Sequence, residues 1–187
     1  MDIRYTTVQD AQDVRQILDL QAANHPSAIS LETARSQGFV TVRHEPDVLL
    51  RMNRAYPSVI AKDGDRLAGY CLVMPREFGP EVPVLAPMFD LLETLTWRSR
   101  LLRDGGWFVM GQVCVAEAYR GQGVFDGLYA KLRNVCRPNF DFVVTEIAER
   151  NARSLRAHER VGFETFHVYP DATTGEVWHV VAMGLEA

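Results

Sequence analysis

Residues 113–133 read VCVAEAYRGQGVFDGLYAKLR: the end of an apolar strand, a short loop and the start of a helix. The strand opens at Trp107, and the run WFVMGQVCV is typical of a strand that is buried on both faces. The turn Arg120–Gly123 places two glycines where the helix begins. The unpaired N–H groups of a first helical turn attract anions, and glycines let a backbone approach a ligand closely. We interpret the turn as a pyrophosphate site to which Arg120 adds a guanidinium; an ordinary strand-to-helix turn is the alternative.

The composition is that of a soluble globular domain. The chain has 187 residues, a formal net charge of −4 and 47% hydrophobic residues, so we expect a single domain over residues 1–187. The mild acidity, without a long Lys/Arg run, argues against nucleic acid or a membrane as partner. No apolar run reaches the ~18 residues of a membrane span, and the first residues lack the apolar stretch of a signal peptide. Three widely spaced cysteines without a CxxC pair favour a reducing, cytoplasmic location.

The rest of the chain alternates strand and helix signals. After a first alternating strand, Thr7 is predicted to cap a helix, with Asp10 as its capping-box partner. Asp63-Gly64 separates two strand-like runs and predicts a tight hairpin. The remaining predicted elements are helices at about 47–54 and 88–95, a strand at 140–147, a helix at 151–160 that Asn151 caps and Gly162 ends, and a strand pair at 163–169 and 177–185. Together they predict one mixed sheet flanked by helices.

Two common phosphate-binding motifs match poorly. A P-loop needs GxxxxGK[ST], which the chain lacks. A dinucleotide fingerprint needs GxGxxG, but Asp126 stands where the third glycine belongs, and its charge disfavours a neighbouring anion. A nucleotide-binding oxidoreductase is therefore a poorly matched alternative.

The turn resembles the acyl-CoA pyrophosphate loop of the GNAT superfamily of N-acetyltransferases, written Q/R-x-x-G-x-G/A. Arg120 occupies the first position and Gly123 the middle glycine, whereas Phe125 stands where the family has a small residue. A second stretch, NARSLRAHERVGF at 151–163, is similar to the family's N-x-x-S/A-x-x-x-Y-x-x-x-G-F helix, with His158 in place of the tyrosine. Each motif alone is weak, but their order and separation match the family.

The resemblance implies an α/β (α+β) fold with a single mixed, mostly antiparallel central sheet flanked by helices. It also implies acetyl-CoA as co-substrate, and a strand at 112–115 that separates from its neighbour and offers backbone groups to the pantetheine arm. The implied cofactor-binding residues are Val113, Cys114, Val115, Arg120, Gly121, Gln122, Gly123, Val124, Phe125, Asn151, Ser154 and His158. The five histidines show no ligand spacing such as HxxxH, and we expect no metal.

The implied reaction transfers an acetyl group from acetyl-CoA to a primary amine of a small molecule or peptide, by direct attack in a ternary complex. His158, at the tyrosine position, is the expected general acid for the departing thiolate, a role that requires a charged imidazole. If His158 only packs beside the cofactor, Tyr129, a water or unassisted departure replaces it. Glu146 is the expected general base, and Glu117 and Glu149 are the neighbouring carboxylates.

Several other groups have two interpretations each. Cys114 could form an acyl-cysteine, but without an adjacent His or Lys a buried, inert thiol is the simpler interpretation. Four arginines on one helix either reach the CoA phosphates or form a solvated charged face: Arg150, Arg153, Arg156 and Arg160. Residues 24–46 and 75–106 are expected to select the acceptor. The side chains that would line an acceptor pocket, or else pack these loops, are Phe39, His44, Tyr56, Phe78 and Phe89.

The departures at Phe125 and His158 leave a second function class open, a non-catalytic acyl-CoA-binding or sensing domain. The sequence also leaves a homodimer open.

Overall fold

The computed structural model describes residues 2–25, 42–172 and 174–186. Its strands are β1 (Ile3–Thr7), β2 (Val59–Asp63), β3 (Arg66–Met74), β4 (Thr96–Trp97), β5 (Arg100–Leu101), β6 (Trp107–Val115), β7 (Phe142–Ala148), β8 (Glu164–Pro170) and β9 (Val177–Gly184). Its α-helices are α1 (Ala11–Asn24), α2 (Pro46–Ala55), α3 (Ala86–Leu92), α4 (Val124–Cys136) and α5 (Ala152–Arg160). Short 3₁₀ helices lie at Arg76–Glu81, Pro83–Leu85, Leu102–Asp104 and Glu117–Tyr119.

Seven strands form the central sheet, in the order β1-β2-β3-β6-β7-β9-β8. Every neighbouring pair is antiparallel except β6 and β7, which are parallel. Strands β4 and β5 form a separate two-stranded hairpin. The predicted mixed, mostly antiparallel sheet flanked by helices is confirmed. Among the described helices, none is long and apolar enough to cross a membrane.

The local signals placed most elements within a few residues of their observed bounds. Gly64 has φ +58° in the turn between β2 and β3, as the hairpin prediction requires. The side chain of Asn151 accepts a hydrogen bond from the Ser154 N–H and so caps α5, and Gly162 follows that helix with φ +105°. The helix predicted at 88–95 lies instead at Ala86–Leu92, because Pro87 fits a first helical turn.

The predicted cap of the first helix is wrong. Asp10 itself is the N-cap of α1, and its carboxylate accepts from the N–H groups of Gln12 and Asp13 at 2.8 and 2.9 Å. Thr7 is the last residue of β1, where it pairs with Val59. The sheet therefore holds Thr7 in the extended conformation, and the helix begins three residues later than that cap would allow.

The core is divided by the sheet into two layers. Along β3, Tyr70, Leu72 and Met74 pack in one cluster with α1 and α2, while Cys71 and Val73 pack in the other. The second cluster contains the apolar face of α4, including Leu128 and Leu132. This alternation follows from the two-residue period of a strand. We call the two sides of the sheet the α1 face and the α4 face.

The parallel pair β6–β7 is short, and this positions the site. Only Trp107–Val109 pair with Phe142–Val144, after which the two strands separate. On its other side, β6 continues to pair with β3 up to Val115, with Gly111 left unpaired as a bulge between Met110 and Gln112. The Thr145 hydroxyl donates to the Met110 carbonyl at 3.0 Å just beyond the last paired residues. Above that bond the sheet contains a wedge-shaped gap, as the family resemblance implies.

Candidate active site

The glycine turn ends in an uncapped helix N-terminus. Gly121 and Gly123 have φ +73° and +77°, a backbone conformation that residues with a Cβ atom rarely adopt. Helix α4 begins at Val124 without a side-chain cap, so within the described ranges no side chain takes up the first N–H groups of the helix. The turn therefore has the backbone conformation and the donors that an anion site needs.

A cavity of about 500 Å³ lies beside this turn, between β6, α4 and α5. Ten of the twelve predicted cofactor-binding residues line it: Val113, Cys114, Val115, Arg120, Gly121, Gly123, Val124, Phe125, Asn151 and Ser154. The side chain of Gln122 does not line it, because its amide donates to the Ala118 carbonyl at 2.8 Å. The cavity is large enough for much of a nucleotide-sized ligand.

Positive charge dominates this cavity. In the part of the chain that the structure describes, its charged lining residues are Asp126 and four arginines: Arg120, Arg153, Arg156 and Arg160. Arg153, Arg156 and Arg160 follow at intervals of three and four residues, so they share one face of α5, and the structure turns that face toward the cavity. Arg150, outside this series, pairs with Glu176 instead. Arg150 is also three residues from Arg153, but it precedes the Asn151 N-cap and so lies outside α5; that cap was the signal that could have separated it from the other three.

Two of the arginines are fixed by contacts within the chain. Arg120 donates to the Val115 carbonyl at 3.1 Å and to Asn24 Oδ1 at 2.6 Å, which ties the turn to the end of α1. Arg160 pairs with Asp126 at 2.6 Å and so bridges α5 and the first turn of α4. The charge of Asp126 was expected to disfavour an anion beside the glycine turn. Because Arg160 neutralises Asp126, this residue does not present an unpaired negative charge to the cavity.

A smaller cavity of about 90 Å³ lies in the gap between β6 and β7. It shares Val113, Asn151 and Ser154 with the larger cavity, so the two adjoin each other. Both predicted catalytic residues, Glu146 and His158, line it. Sequence reasoning did not connect Trp178 with the site, yet Trp178 lines this cavity from β9.

Glu146 reaches the gap from β7. It follows Val144 by two residues and so points to the α1 face, where the Tyr169 hydroxyl donates to its Oε1 at 2.8 Å. Burial raises the pKa of Glu146 from 4.5 to about 7; the Tyr169 bond opposes this increase, and the negative charge of Asp171 adds to it. A carboxylate with a pKa near neutrality can accept a proton at physiological pH and release it again.

His158 lies on the opposite face and has the properties of a structural residue. It is 2% exposed, and burial lowers its pKa from 6.5 to about 4. Its Nδ1 lies 2.8 Å from the Ser154 carbonyl, and its Nε2 lies 2.8 Å from the Tyr129 hydroxyl. Because a carbonyl only accepts, Nδ1 carries the proton and Nε2 accepts from Tyr129.

This arrangement argues against the expected acid role of His158. The general acid needs an imidazolium, whereas the buried ring is neutral at physiological pH and both of its nitrogens are engaged. Tyr129, the alternative donor, is 1% exposed and does not line either cavity. Phe125 and Phe163 pack edge-on against His158, with ring centroids 5.2 and 5.0 Å away, so Phe125 completes an aromatic cluster at the cavity wall.

The remaining candidates fall outside the gap or are inert. Burial raises the pKa of the Cys114 thiol to about 12, in agreement with an unreactive side chain. Glu117 and Glu149 are exposed and line neither cavity. Within the described residues, no group of three His, Cys, Asp or Glu side chains could hold a metal ion.

The residues expected to form an acceptor pocket instead pack the loops, as far as they are described. Phe39 lies outside the described residues. His44 is buried against Gln21, and Phe78 is buried beside α2. Tyr56 stacks on Phe140, with ring centroids 4.9 Å apart. The side chains of His44, Tyr56, Phe78 and Phe89 line neither cavity.

A mixed sheet that opens beside a cationic, nucleotide-sized cavity is the architecture of acyl-CoA-dependent transferases. The chain belongs to the acetyltransferase (GNAT) family, whose model matches residues 15–163. This membership confirms the resemblance found in the two motifs, and it supports acyl transfer from acetyl-CoA as the general activity.

Solved structures share the fold at low sequence identity. The protein yncA from Salmonella typhimurium, solved with its cofactor acetyl-CoA, is 16% identical over 98% of this chain and 94% of its own, with a TM-score of 0.63. The ribosomal-protein-S18-alanine N-acetyltransferase from Escherichia coli is 10% identical over 100% and 96%, also with a TM-score of 0.63. A chain of the NatC complex bound to Gag peptide and CoA is 16% identical over the whole of both chains, with a TM-score of 0.65. No curated protein matches the chain in sequence.

Proposed function

We propose that this protein transfers an acetyl group from acetyl-CoA to a primary amine of a small molecule or a peptide, by direct attack in a ternary complex. The observation that carries the proposal is Glu146, a carboxylate with a pKa of about 7 that lines the cavity in the β6–β7 gap. Two structural neighbours support an amine acceptor: one is a ribosomal-protein-S18-alanine N-acetyltransferase, and the other was solved with a peptide and CoA bound.

The larger cavity would hold the polyanionic part of acetyl-CoA. The N–H groups of the turn at Gly121–Val124 and the guanidinium of Arg120 suit the pyrophosphate, and the arginine face of α5 adds further positive charge. The chain has a net charge of −4, so the protein as a whole does not attract the polyanionic cofactor. These local groups must therefore supply the attraction. The pantetheine arm would then run past Asn151 and Ser154 into the gap.

The gap offers the two substrates opposite approaches. Acetyl-CoA reaches it from the α4 face, where α5 and the glycine turn lie, whereas Glu146 points to the α1 face. An amine that enters from the α1 face meets Glu146 before the thioester. Glu146 removes the proton as nitrogen attacks the carbonyl carbon, and a backbone N–H of β6 in the separated stretch donates to the oxyanion.

The direct test is thiol release from acetyl-CoA over a panel of primary amines, with tight CoA binding checked in parallel. We expect acetylation of at least one amine, and kcat/KM that rises with pH through about 7 as Glu146 loses its proton. Glu146→Gln should lower kcat/KM about 10²- to 10⁴-fold, whereas Glu117→Gln, at an exposed carboxylate, should leave it unchanged.

Two outcomes would contradict the proposal in different ways. Silence across the panel despite CoA binding would favour the non-catalytic acyl-CoA-binding alternative. Acetylation that survives Glu146→Gln with its pH profile intact would show that another group is the base.

We also propose a cytoplasmic location, supported by three free, buried cysteines. A single domain over residues 1–187, the absence of a metal and of nucleic-acid or membrane partners, and a homodimer in solution stay predictions.

A further inference from the structure

The mechanism above leaves the departing thiolate without a donor, because His158 is neutral and both its nitrogens are engaged. A donor must lie where the sulfur lies. The sulfur joins the pantetheine arm to the acetyl group, so it must sit where the larger cavity meets the gap. Among the described residues, only Val113, Asn151 and Ser154 line both cavities.

Of these three, Ser154 has a hydroxyl whose proton is not used within the described part of the chain. Its Oγ lies 3.2 Å from His158 Nδ1, but Nδ1 already carries a proton, which it donates to the Ser154 carbonyl. The hydroxyl can therefore accept from Nδ1 and cannot donate to it. Among the described residues, no acceptor receives the Ser154 O–H. Asn151 accepts the Ser154 N–H through its Oδ1, which holds its amide group in the cap of α5.

We propose that the Ser154 hydroxyl donates a hydrogen bond to the sulfur of acetyl-CoA and stabilises the thiolate as it departs. His158 and Tyr129 then act as positioning residues: the Ser154 carbonyl fixes the tautomer of His158, the Tyr129 hydroxyl donates to its Nε2 and holds the ring, and the His158 N–H orients the Ser154 hydroxyl. This inference rests on the proposed function.

The bonds and charges balance without a further reactant. The neutral amine attacks, Glu146 takes one proton from the nitrogen, and the oxyanion re-forms the carbonyl as the C–S bond breaks. The electron pair of that bond stays on sulfur, where the Ser154 O–H donates to it without giving up its proton. The products are the amide, the CoA thiolate and protonated Glu146, which later releases its proton to solvent.

The first experiment uses CoA alone and needs no acceptor. The pKa of the thiol of bound CoA is measured from the ultraviolet absorbance of the thiolate as pH is raised, in the wild type and in Ser154→Ala. A donor to the thiolate lowers this pKa, so the alanine variant should raise it by about one unit. Ser154→Thr, which retains the hydroxyl, should restore the lower value.

Ser154→Ala should fold normally because Asn151 caps the backbone N–H of residue 154, which the substitution keeps. An unchanged pKa of the bound thiol in Ser154→Ala would overturn the inference, whatever acceptor the enzyme uses. A wild type that binds CoA with a lowered thiol pKa but acetylates no amine would instead count against the proposed function.

The second experiment separates the sulfur from other parts of the cofactor. With acetyl-CoA and an accepted amine, Ser154→Ala should lower kcat about 10- to 100-fold. With the selenium analogue of acetyl-CoA, whose selenolate departs with less assistance, the loss should be much smaller. An equal loss of kcat with acetyl-CoA and with its selenium analogue would show that the hydroxyl contacts the pantetheine arm and not the sulfur, and would overturn the inference. A higher KM at unchanged kcat would do the same.

Discussion

Replacing Glu146 by Gln should stabilise the protein increasingly as pH rises from about 4.5 to 7, and not at lower pH. The folded state holds this carboxyl at a pKa of about 7, above its ordinary value of 4.5, chiefly because the group is buried. The folded protein therefore binds the proton more tightly than the unfolded chain does. The stability of the wild type is fully present below about pH 4.5 and falls as pH rises toward 7, where the carboxylate must ionise in a poorly solvated site.

The size of the effect follows from the pKa. Each pKa unit corresponds to about 1.4 kcal/mol, so a rise from 4.5 to about 7 costs about 3 kcal/mol once the group is fully ionised. Glutamine has a similar shape, stays neutral and can still accept from Tyr169. Between pH 5 and pH 8, the free energy of unfolding of Glu146→Gln should therefore gain about 2–3 kcal/mol on that of the wild type.

The assay is urea denaturation of both proteins at several values between pH 5 and pH 8. Comparing how the free energy of unfolding changes with pH, rather than its value at one pH, removes any pH-independent effect of the substitution. Glu117→Gln, at an exposed carboxylate, is the matched control and should run parallel to the wild type. If the curve for Glu146→Gln also ran parallel, the carboxyl would have an ordinary pKa, and the argument that makes it a base near neutral pH would fail.

Four further substitutions test the site and the fold. Tyr169→Phe removes a donor that favours the ionised form of Glu146, so the rise of kcat/KM with pH should move about one unit higher; an unmoved profile would separate Tyr169 from the base. Gly123→Ala should cost about 1 kcal/mol of stability through its φ of +77° and raise KM for acetyl-CoA. Gly64→Ala is the matched control, with φ +58° and equally open surroundings, and it should cost as much stability without any change in KM. An equal rise in KM for acetyl-CoA in Gly64→Ala would contradict a binding role of the glycine turn at Gly123. Ser99→Gly should stabilise the protein by about 0.5–1 kcal/mol in urea denaturation, because Ser99 has φ +65° in the β4–β5 turn, and a destabilised variant would contradict this.

The sequence was informative wherever structure depends on neighbours along the chain. The bounds of β6 were predicted to the residue, because the apolar run 107–115 ends where the polar loop begins. The Asn151 cap and the Gly64 turn depend on one backbone conformation each, which single residues signal strongly. The two motifs added the family, and with it the order of the elements around the gap.

The rest depended on contacts that cross the chain. Arg120 was expected to add a guanidinium to the pyrophosphate site, but its bond to Asn24, 96 positions away, is a contact that no local pattern reveals. His158 occupies the tyrosine position of the family motif, but its protonation state depends on its burial against Tyr129 and Phe163, which follows from the packing of α5. Glu146 was named from the sequence as the candidate base, but its pKa follows from burial and from Tyr169 on a strand two positions away in the sheet.

The short β6–β7 pairing has a mechanical consequence. Mechanically, the sheet consists of two plates, β1-β2-β3-β6 and β7-β9-β8, joined along a seam of three residue pairs and the Thr145–Met110 bond. A cofactor in the gap would touch Val113–Val115 on one plate and Asn151 and Ser154, which follow the other plate's first strand. The cofactor would then bridge β6 and β7 where backbone hydrogen bonds between them are missing. Binding should therefore restrict the motion of the two plates relative to each other and slow amide exchange along the seam.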